Sequence, residues 1–270
     1  MSPDNDVYPQ TPRYRLYYED ECVTLYCGRW EDVLPTLARF DLIFTSPPYN
    51  LGASPWPHLG HWKPGDGSGG KSKWRNGSDG SGGVQYVEHE DTMPWDEYVL
   101  WQRRSLRAMW EHLTQRGAIF YNHKPRVIGG RCWLPLELNP DLPLRQIVTW
   151  ARAGGMNFNP TAYVPTYEWL MIFARDEFRL ASKAVSGIGD LWREAQEPNE
   201  HPAPFPVGLP ARAIESTAPA LVLDPYAGSG STLIAAKAAG IRAIGIEKSD
   251  EYCEMAVRRL AQGSLFEVSA

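Results

Sequence analysis

The segment that most constrains this chain lies near its end. Leu221-Val222-Leu223-Asp224 is an apolar strand that runs directly into Pro225-Tyr226-Ala227-Gly228-Ser229-Gly230. A helix follows from about Ser231 to Ala239, then Gly240, then a strand from Arg242 to Ile246 with Glu247 at its end. Glycines at such a turn let backbone N–H groups approach a ligand closely. The helix starts with the positive end of its dipole at the same place. An acid at the end of the next strand, about twenty residues on, can take both hydroxyls of a ribose. Together these features predict a nucleoside cofactor, with Gly228 and Gly230 permitting its approach and Glu247 holding the ribose. The third glycine of the dinucleotide fingerprint is missing, and no Gly-Lys-Ser/Thr follows, so this is not a phosphate loop.

The rest of the chain alternates in the same way. Residues 14–27 read as a hairpin or two short strands, Glu31 to Phe40 as a short helix, and Asp41 to Thr45 as a strand covered on both faces. A helix starts near Pro94 and is stopped by Gly117. Strands follow at Ala118–Tyr121, Arg145–Ala151 and Glu168–Ala174, with a short one expected between Phe178 and Leu191. Residues 195–206 read as an extended connector, Gly208 to Ser216 as a helix, and Ser249 to Leu260 as the last helix. Strands alternating with helices argue for an α/β fold with a mainly parallel sheet, and no second core is evident over 1–270. Residues 52–91 break the pattern with two Gly/Ser runs and no apolar period. They read as a mobile insert. Its Trp56, His58, Trp62, Lys63, Lys73 and Trp74 suit a substrate-covering loop as well as a plain flexible one.

Composition excludes more than it selects. No apolar run reaches the ~18 residues of a membrane span. The polar start Met1–Asp6 lacks the features of a secretion signal. Cys22, Cys27, Cys132 and Cys253 are scattered, which favours reduced packing thiols in a cytoplasm and argues against a zinc site. The net charge of −5 disfavours a protein that merely coats nucleic acid, yet leaves room for a local basic cleft.

A second segment is harder to explain as structure. Thr45-Ser46-Pro47-Pro48-Tyr49-Asn50 directly follows the Asp41–Phe44 run. Neither proline has an N–H for a sheet ladder. What they provide is a stiff backbone holding a carbonyl and a flat ring at a strand end. Taken alone, the stretch also fits a polar turn.

The two segments together resemble a known pair. Asp224-Pro225-Tyr226-Ala227-Gly228-Ser229-Gly230-Ser231 resembles the S-adenosylmethionine motif D-P-F-x-G-x-G-T of DNA amino-methyltransferases, and Ser46-Pro47-Pro48-Tyr49 resembles their catalytic motif (D/N/S)-P-P-(Y/F/W). The catalytic motif comes first and the cofactor motif last, as in the beta group of these enzymes. His201-Pro202-Ala203-Pro204-Phe205-Pro206 is similar to the segment that lines the methionine pocket in that group.

The resemblance implies a Rossmann-like S-adenosylmethionine-dependent methyltransferase fold, a mainly parallel sheet with helices on both faces. It implies S-adenosyl-L-methionine as cofactor, held by Phe205, Asp224, Tyr226, Gly228, Gly230, Ser231 and Glu247. Phe205 fits ordinary packing equally well. The resemblance further implies catalysis by Ser46, Pro47, Pro48 and Tyr49 on an exocyclic amino group of a flipped base. A side-chain oxygen at Ser46 and the carbonyl of Pro47 would accept the amino hydrogens, and Tyr49 would stack on the base. Asn50, His123 and Lys124 are expected at the substrate side, although His123 and Lys124 also fit a surface turn. The segment 154–159 is expected on the same rim. One departure stands out. Where the family often has Gly-Asp before the catalytic motif, with that Asp on the adenine edge of the cofactor, this chain has Gly28-Arg29-Trp30, which leaves that contact open to Glu31 or Asp32 as a substitute or to Trp30 covering the adenine ring.

Serine at position 46 leans toward cytosine N4, since the family's adenine-N6 enzymes more often carry Asp there. Double-stranded DNA is the expected substrate, with target recognition in a short segment at about 176–206 or in the insert. The resemblance leaves room for a homodimer, for a cognate restriction endonuclease, and for an RNA substrate with the same chemistry. A nicotinamide-dependent oxidoreductase would share the glycine turn but gives no reason for Ser46–Tyr49.

Overall fold

The computed structural model describes residues 13–51, 55, 92–128, 130–152, 162–195 and 205–267. The expected insert (Pro55 apart), the segment 154–159 and His201–Pro204 lie outside the described residues.

The chain opens with the expected hairpin, β1 (Arg15–Glu19) and β2 (Val23–Cys27), paired antiparallel. The helix expected from Glu31 to Phe40 is much shorter. Helix α1 spans Trp30–Val33, a 3-10 turn around Pro35 covers Leu34–Thr36, and Leu37 is already extended. Proline in the second turn removes a helical N–H, and the N–H of Phe40 bonds instead to the His112 carbonyl at 2.8 Å, starting β3 (Phe40–Thr45).

Helix α2 (Trp95–Glu111) begins after Pro94, with Asp96 and Glu97 in its first turn facing the positive dipole end. Its buried face is Tyr98, Val99, Gln102, Ser105, Leu106 and Met109, at helical spacing. Gly117 does not stop it. The helix ends at Glu111, and Gly117 sits inside β4 (Leu113–His123), where the pairing with β3 shifts register. A Cβ there would lie 2.8 Å from the Phe40 carbonyl oxygen, so glycine marks a close backbone approach.

A hairpin absent from the sequence reading follows, β5 (Arg126–Ile128) and β6 (Arg131–Trp133), turning at Gly130 with φ of 75°. Then come β7 (Leu144–Ala151), β8 (Tyr167–Ala174), β9 (Leu191–Arg193), α3 (Gly208–Thr217), β10 (Leu221–Asp224), α4 (Ser231–Ala238), β11 (Arg242–Glu247) and α5 (Asp250–Glu267).

The strands form one nine-stranded sheet in the order β1-β2-β11-β10-β3-β4-β8-β7-β9. From β2 through β4 every pairing is parallel, while β8 runs antiparallel to both β4 and β7. Period-2 alternation sends Leu42, Phe44, Ala118, Phe120 and Val222 to one face, against α3, α4 and α5. Ile43, Ile119, Tyr121 and Leu223 face the other way, against α1 and α2. Both faces are therefore covered by helices, which is why these strands read as continuous apolar runs. Phe44, Phe120, Tyr121 and Phe173 are essentially fully buried at this part of the sheet. Each such burial contributes about 1.5–3 kcal/mol. The strand ends that carry the two motifs thus project from the most tightly packed region. No helix among the described residues is long and apolar enough to cross a membrane.

Candidate active site

In a parallel sheet the carboxyl ends of the strands share one edge, and ligands of open α/β sheets bind there. The Ser46 segment leaves β3 at that edge, and the glycine turn leaves β10 beside it. Asp224 fastens the two together. One carboxylate oxygen accepts from Thr45 Oγ1 at 2.8 Å and from the Tyr226 N–H at 3.1 Å. The other accepts from Thr232 Oγ1 at 2.7 Å, in the first turn of α4. Asp224 is fully buried, so both oxygens serve protein donors.

Burial pushes the Asp224 pKa up from 3.8 to about 6, against the pull of its three donors. A carboxyl whose pKa is raised on folding binds more protons in the native state between those values. Its contribution to stability is therefore full in acid and is lost as pH rises toward about 6. Asp224→Asn stays neutral throughout. The stability advantage of wild type over Asp224→Asn should therefore shrink from pH 4 to pH 7, by up to roughly 3 kcal/mol. Urea unfolding across that range checks this, and an advantage that grows with pH would contradict it.

The Ser46 segment is held at nearly every residue. The Pro48 carbonyl accepts from Tyr98 Oη at 3.1 Å and Gln102 Nε2 at 3.0 Å. Arg126 Nη1 donates to the carbonyls of Tyr49 (2.8 Å) and Asn50 (3.3 Å). Asn50 takes a left-handed conformation, φ of 53°, and its Nδ2 donates to the Met93 carbonyl at 2.8 Å. Its side-chain amide nitrogen thus supports the loop, while its buried Oδ1 has no partner among the described residues.

His123 is fully buried rather than on an open rim. Burial, with the Arg126 charge second, drives its pKa well below the ordinary imidazole value, so the ring is neutral. Its Nδ1 accepts from the Lys124 N–H at 2.9 Å. By network assignment Nε2 then carries the proton and donates to Tyr98 Oη at 2.8 Å, which donates onward to Pro48. The His123 ring packs on Tyr49 with centroids 4.4 Å apart, and Lys124 Nζ stands 5.2 Å from the Tyr49 centroid.

Behind the loop lies a polar cluster that the sequence reading missed. Ser46 Oγ is 2.9 Å from Tyr49 Oη, and Tyr49 Oη donates to Glu168 Oε2 at 2.9 Å. Asn122 Nδ2 donates to Tyr49 Oη (2.8 Å), Glu168 Oε2 (2.9 Å) and, more weakly, Ser46 Oγ (3.3 Å). Arg152 Nη1 pairs with Glu168 Oε1 at 3.2 Å. The available signal was a carboxylate opening the apolar run Glu168–Ala174 and an amide closing Ile119–Tyr121.

The cofactor turn takes the predicted form. Gly228 and Gly230 have φ of 51° and 82°, and a Cβ on Gly230 would lie 3.0 Å from Ala256 Cβ. Glu247 closes over the turn. Its Oε2 accepts from the Gly228 N–H at 2.8 Å and its Oε1 from the Ser249 N–H at 2.9 Å. Burial raises its pKa to about 6, with those N–H groups pulling the other way. Each oxygen keeps a lone pair for a further donor, as a ribose diol requires. The remaining expected residues cluster here with their own contacts. Ser231 Oγ donates to the Phe205 carbonyl at 2.9 Å, the Phe205 ring packs on Phe44, and Tyr226 Oη donates to Ser105 Oγ at 2.8 Å. Trp30 is buried with Val33 and Leu34, and Glu31 accepts from Trp101 Nε1 at 3.1 Å.

Comparison with known proteins agrees with this geometry. The family model for N6/N4 methyltransferases, described as DNA methylase, matches residues 40–258. The chain is 28% identical over 273 residues to the type II methyltransferase M.ScaI of Streptomyces caespitosus, covering 90% of this chain and 83% of that protein. Among solved structures it is similar in fold to the cytosine-N4-specific PvuII DNA methyltransferase, with a TM-score of 0.67, 16% identity, and 90% and 88% of the two chains covered. It is also similar to a DNA modification methylase of Thermus thermophilus complexed with S-adenosyl-L-methionine, with a TM-score of 0.58, 21% identity, and 88% and 93% covered. With the match spanning both motifs and the strands between them, this chain belongs to the S-adenosylmethionine-dependent DNA amino-methyltransferases that act on adenine N6 or cytosine N4.

Proposed function

We propose that this enzyme methylates the exocyclic amino group of a base flipped out of double-stranded DNA at a specific sequence, with cytosine N4 as the target. The observation that carries the reading is the Thr45–Asp224–Thr232 clamp, which sets the Ser46 segment beside the glycine turn. Residues 1–270 act as one methyltransferase domain. When bound, S-adenosylmethionine supplies a methyl group on a sulfonium, which needs no activation by the protein. Glu247, with the Gly228–Gly230 turn, would hold its ribose. Asp224 acts through Thr45 and Thr232 as a positioning residue.

The chain's own task is to prepare the nucleophile. An exocyclic amine delocalises its lone pair into the ring and attacks poorly. Ser46 Oγ and the Pro47 carbonyl accept its two hydrogens and so turn the lone pair out of conjugation. Because Pro48, Tyr49 and Asn50 are tied down beforehand, these acceptors need no reorganisation when the base arrives. Tyr49, backed by His123 and 5% exposed before the base arrives, is the ring on which the base would stack, and Lys124 beside it supplies charge toward the DNA backbone. Serine at position 46 favours cytosine, since the family's adenine-N6 enzymes more often carry Asp there.

The test is methyl transfer from labelled S-adenosylmethionine to mixed-sequence duplex DNA, with the product digested to nucleosides and weighed by mass spectrometry. N4-methylcytosine is expected. N6-methyladenine would keep the chemistry and overturn the choice of base. An unmodified digest, with label transferred only to RNA, would overturn the DNA substrate.

A further inference from the structure

We infer that Glu168, which lies outside both motifs in the sequence, sets the hydrogen-bond polarity of Ser46 and thereby makes the pocket accept amino bases and reject keto bases. The inference rests on the proposed role of Ser46 as the contact to the amino group. It holds for cytosine and adenine alike.

A serine hydroxyl is ambivalent: it can donate or accept. A pocket that must distinguish an amino group from a keto oxygen has to remove that ambivalence. The described cluster does so by counting hydrogens. The Glu168 carboxylate is paired with Arg152 at 3.2 Å and, as an ionised group, can only accept. Tyr49 has one hydroxyl hydrogen, and it goes to Glu168 Oε2 at 2.9 Å. Tyr49 Oη must then be the acceptor in its 2.9 Å contact with Ser46 Oγ. The Ser46 hydrogen is therefore spent inward, and what Ser46 turns to the substrate is a lone pair. Asn122 reinforces the same sense, since its Nδ2 donates to both Tyr49 Oη and Glu168 Oε2. The cluster is sealed from competing water: Tyr49, Glu168 and Asn122 are each no more than 5% exposed.

An amino group arriving at Ser46 finds an acceptor. A keto oxygen at the same place finds a lone pair facing a lone pair, with no hydrogen able to turn round. Polar mismatch in a dry site discriminates far better than shape does. Glu168 is thus a positioning and specificity-determining residue acting through Tyr49.

The test is Glu168→Gln, which keeps size and shape. Arg152 holds the amide oxygen of the new side chain, so its Nε2 faces Tyr49. Tyr49 then accepts from the amide and donates to Ser46, and the Ser46 hydrogen is freed to point at the substrate. Two synthetic duplexes carry the methylated sequence, one with the target base and one with its amino group replaced by a keto oxygen (uracil for cytosine, hypoxanthine for adenine). Wild type should bind the amino form at least about tenfold better than the keto form. Glu168→Gln should lower that ratio several-fold, the Pro47 carbonyl keeping the rest, and lower kcat roughly tenfold, with KM for S-adenosylmethionine unchanged. Tyr49→Phe, which deletes the linking hydroxyl, should lower the ratio too and supplies the same test if the glutamine variant is unstable. A kcat loss with the amino-to-keto ratio intact in both variants would mean a purely structural cluster and would overturn the inference. Full activity in Ser46→Ala would instead overturn the underlying reading of the site.

Discussion

Ser46→Ala should lower kcat about 10²–10³-fold, the magnitude seen when one preorganised hydrogen-bonding group is removed from a transition-state site. Its effect on KM for S-adenosylmethionine should be small, because Ser46 lies on β3's loop and the cofactor turn leaves β10. The asymmetry follows from when the contact matters. In the ground state the amino group is planar and its hydrogens are weakly acidic, so an acceptor gains little. As nitrogen attacks, its hydrogens gain positive charge and the bond to Ser46 Oγ strengthens. An interaction that grows toward the transition state appears in kcat. Steady-state kinetics on a fixed DNA, with both substrates varied, checks the split. A rise in KM at constant kcat would place Ser46 in ground-state binding only. Folding is not expected to confound the result. Ser46 is partly exposed, its hydroxyl among the described residues bonds within the local cluster, and Pro48, Tyr49 and Asn50 remain tied by Tyr98, Gln102 and Arg126.

The same loop shows where sequence is informative and where it is not. Features set by neighbours in the chain were legible. The strand at Leu221–Asp224, the turn at Gly228 and Gly230 with positive φ, and Glu247 at the next strand end all stand where local pattern puts them. Features set by tertiary approach were not. Asp224 stands at the expected strand end, but its tie to Thr45, 179 positions away, could not be read along the chain. Glu168 meets Tyr49 only because β8 runs antiparallel to β4, which sets Trp169 opposite His123. Gly117 reads as a helix stop in one dimension, and only the nearness of Phe40 reveals it as a point of close packing. His123 looked like a rim residue because a histidine after an apolar strand usually meets water. It is buried here because Tyr98 and the β5–β6 hairpin residue Trp133 close over it, the latter at a ring distance of 5.3 Å. That hairpin has only three-residue strands, too short to show an alternating pattern.

Glu247→Ala should weaken S-adenosylmethionine binding about 100-fold or more, since two hydroxyl hydrogen bonds to a charged acceptor are lost together. The fall should appear in Kd by calorimetry and in KM, with kcat at saturating cofactor much less affected, the reverse of the Ser46→Ala pattern. Part of the loss is indirect. The carboxylate also accepts from the Gly228 and Ser249 N–H groups, so its removal releases the turn itself. Glu247→Gln removes half of each contribution, because its amide nitrogen would face one of these two N–H groups as well as one ribose hydroxyl. An amide keeps one oxygen but presents an N–H₂ where the second acceptor stood, so the loss should be intermediate, about tenfold. The pH dependence gives an independent check. Burial holds the Glu247 pKa at about 6. Hydroxyls that donate to the carboxylate favour its ionised form and lower that pKa, so binding must release a proton when Glu247 is protonated. Affinity for S-adenosylmethionine should therefore hold steady above about pH 6 and decline as pH falls below it. In Glu247→Ala that decline should vanish. An alanine variant with wild-type affinity, or a wild-type affinity that rises in acid, would remove Glu247 from the ribose site and leave it as a clasp for the Gly228 turn alone.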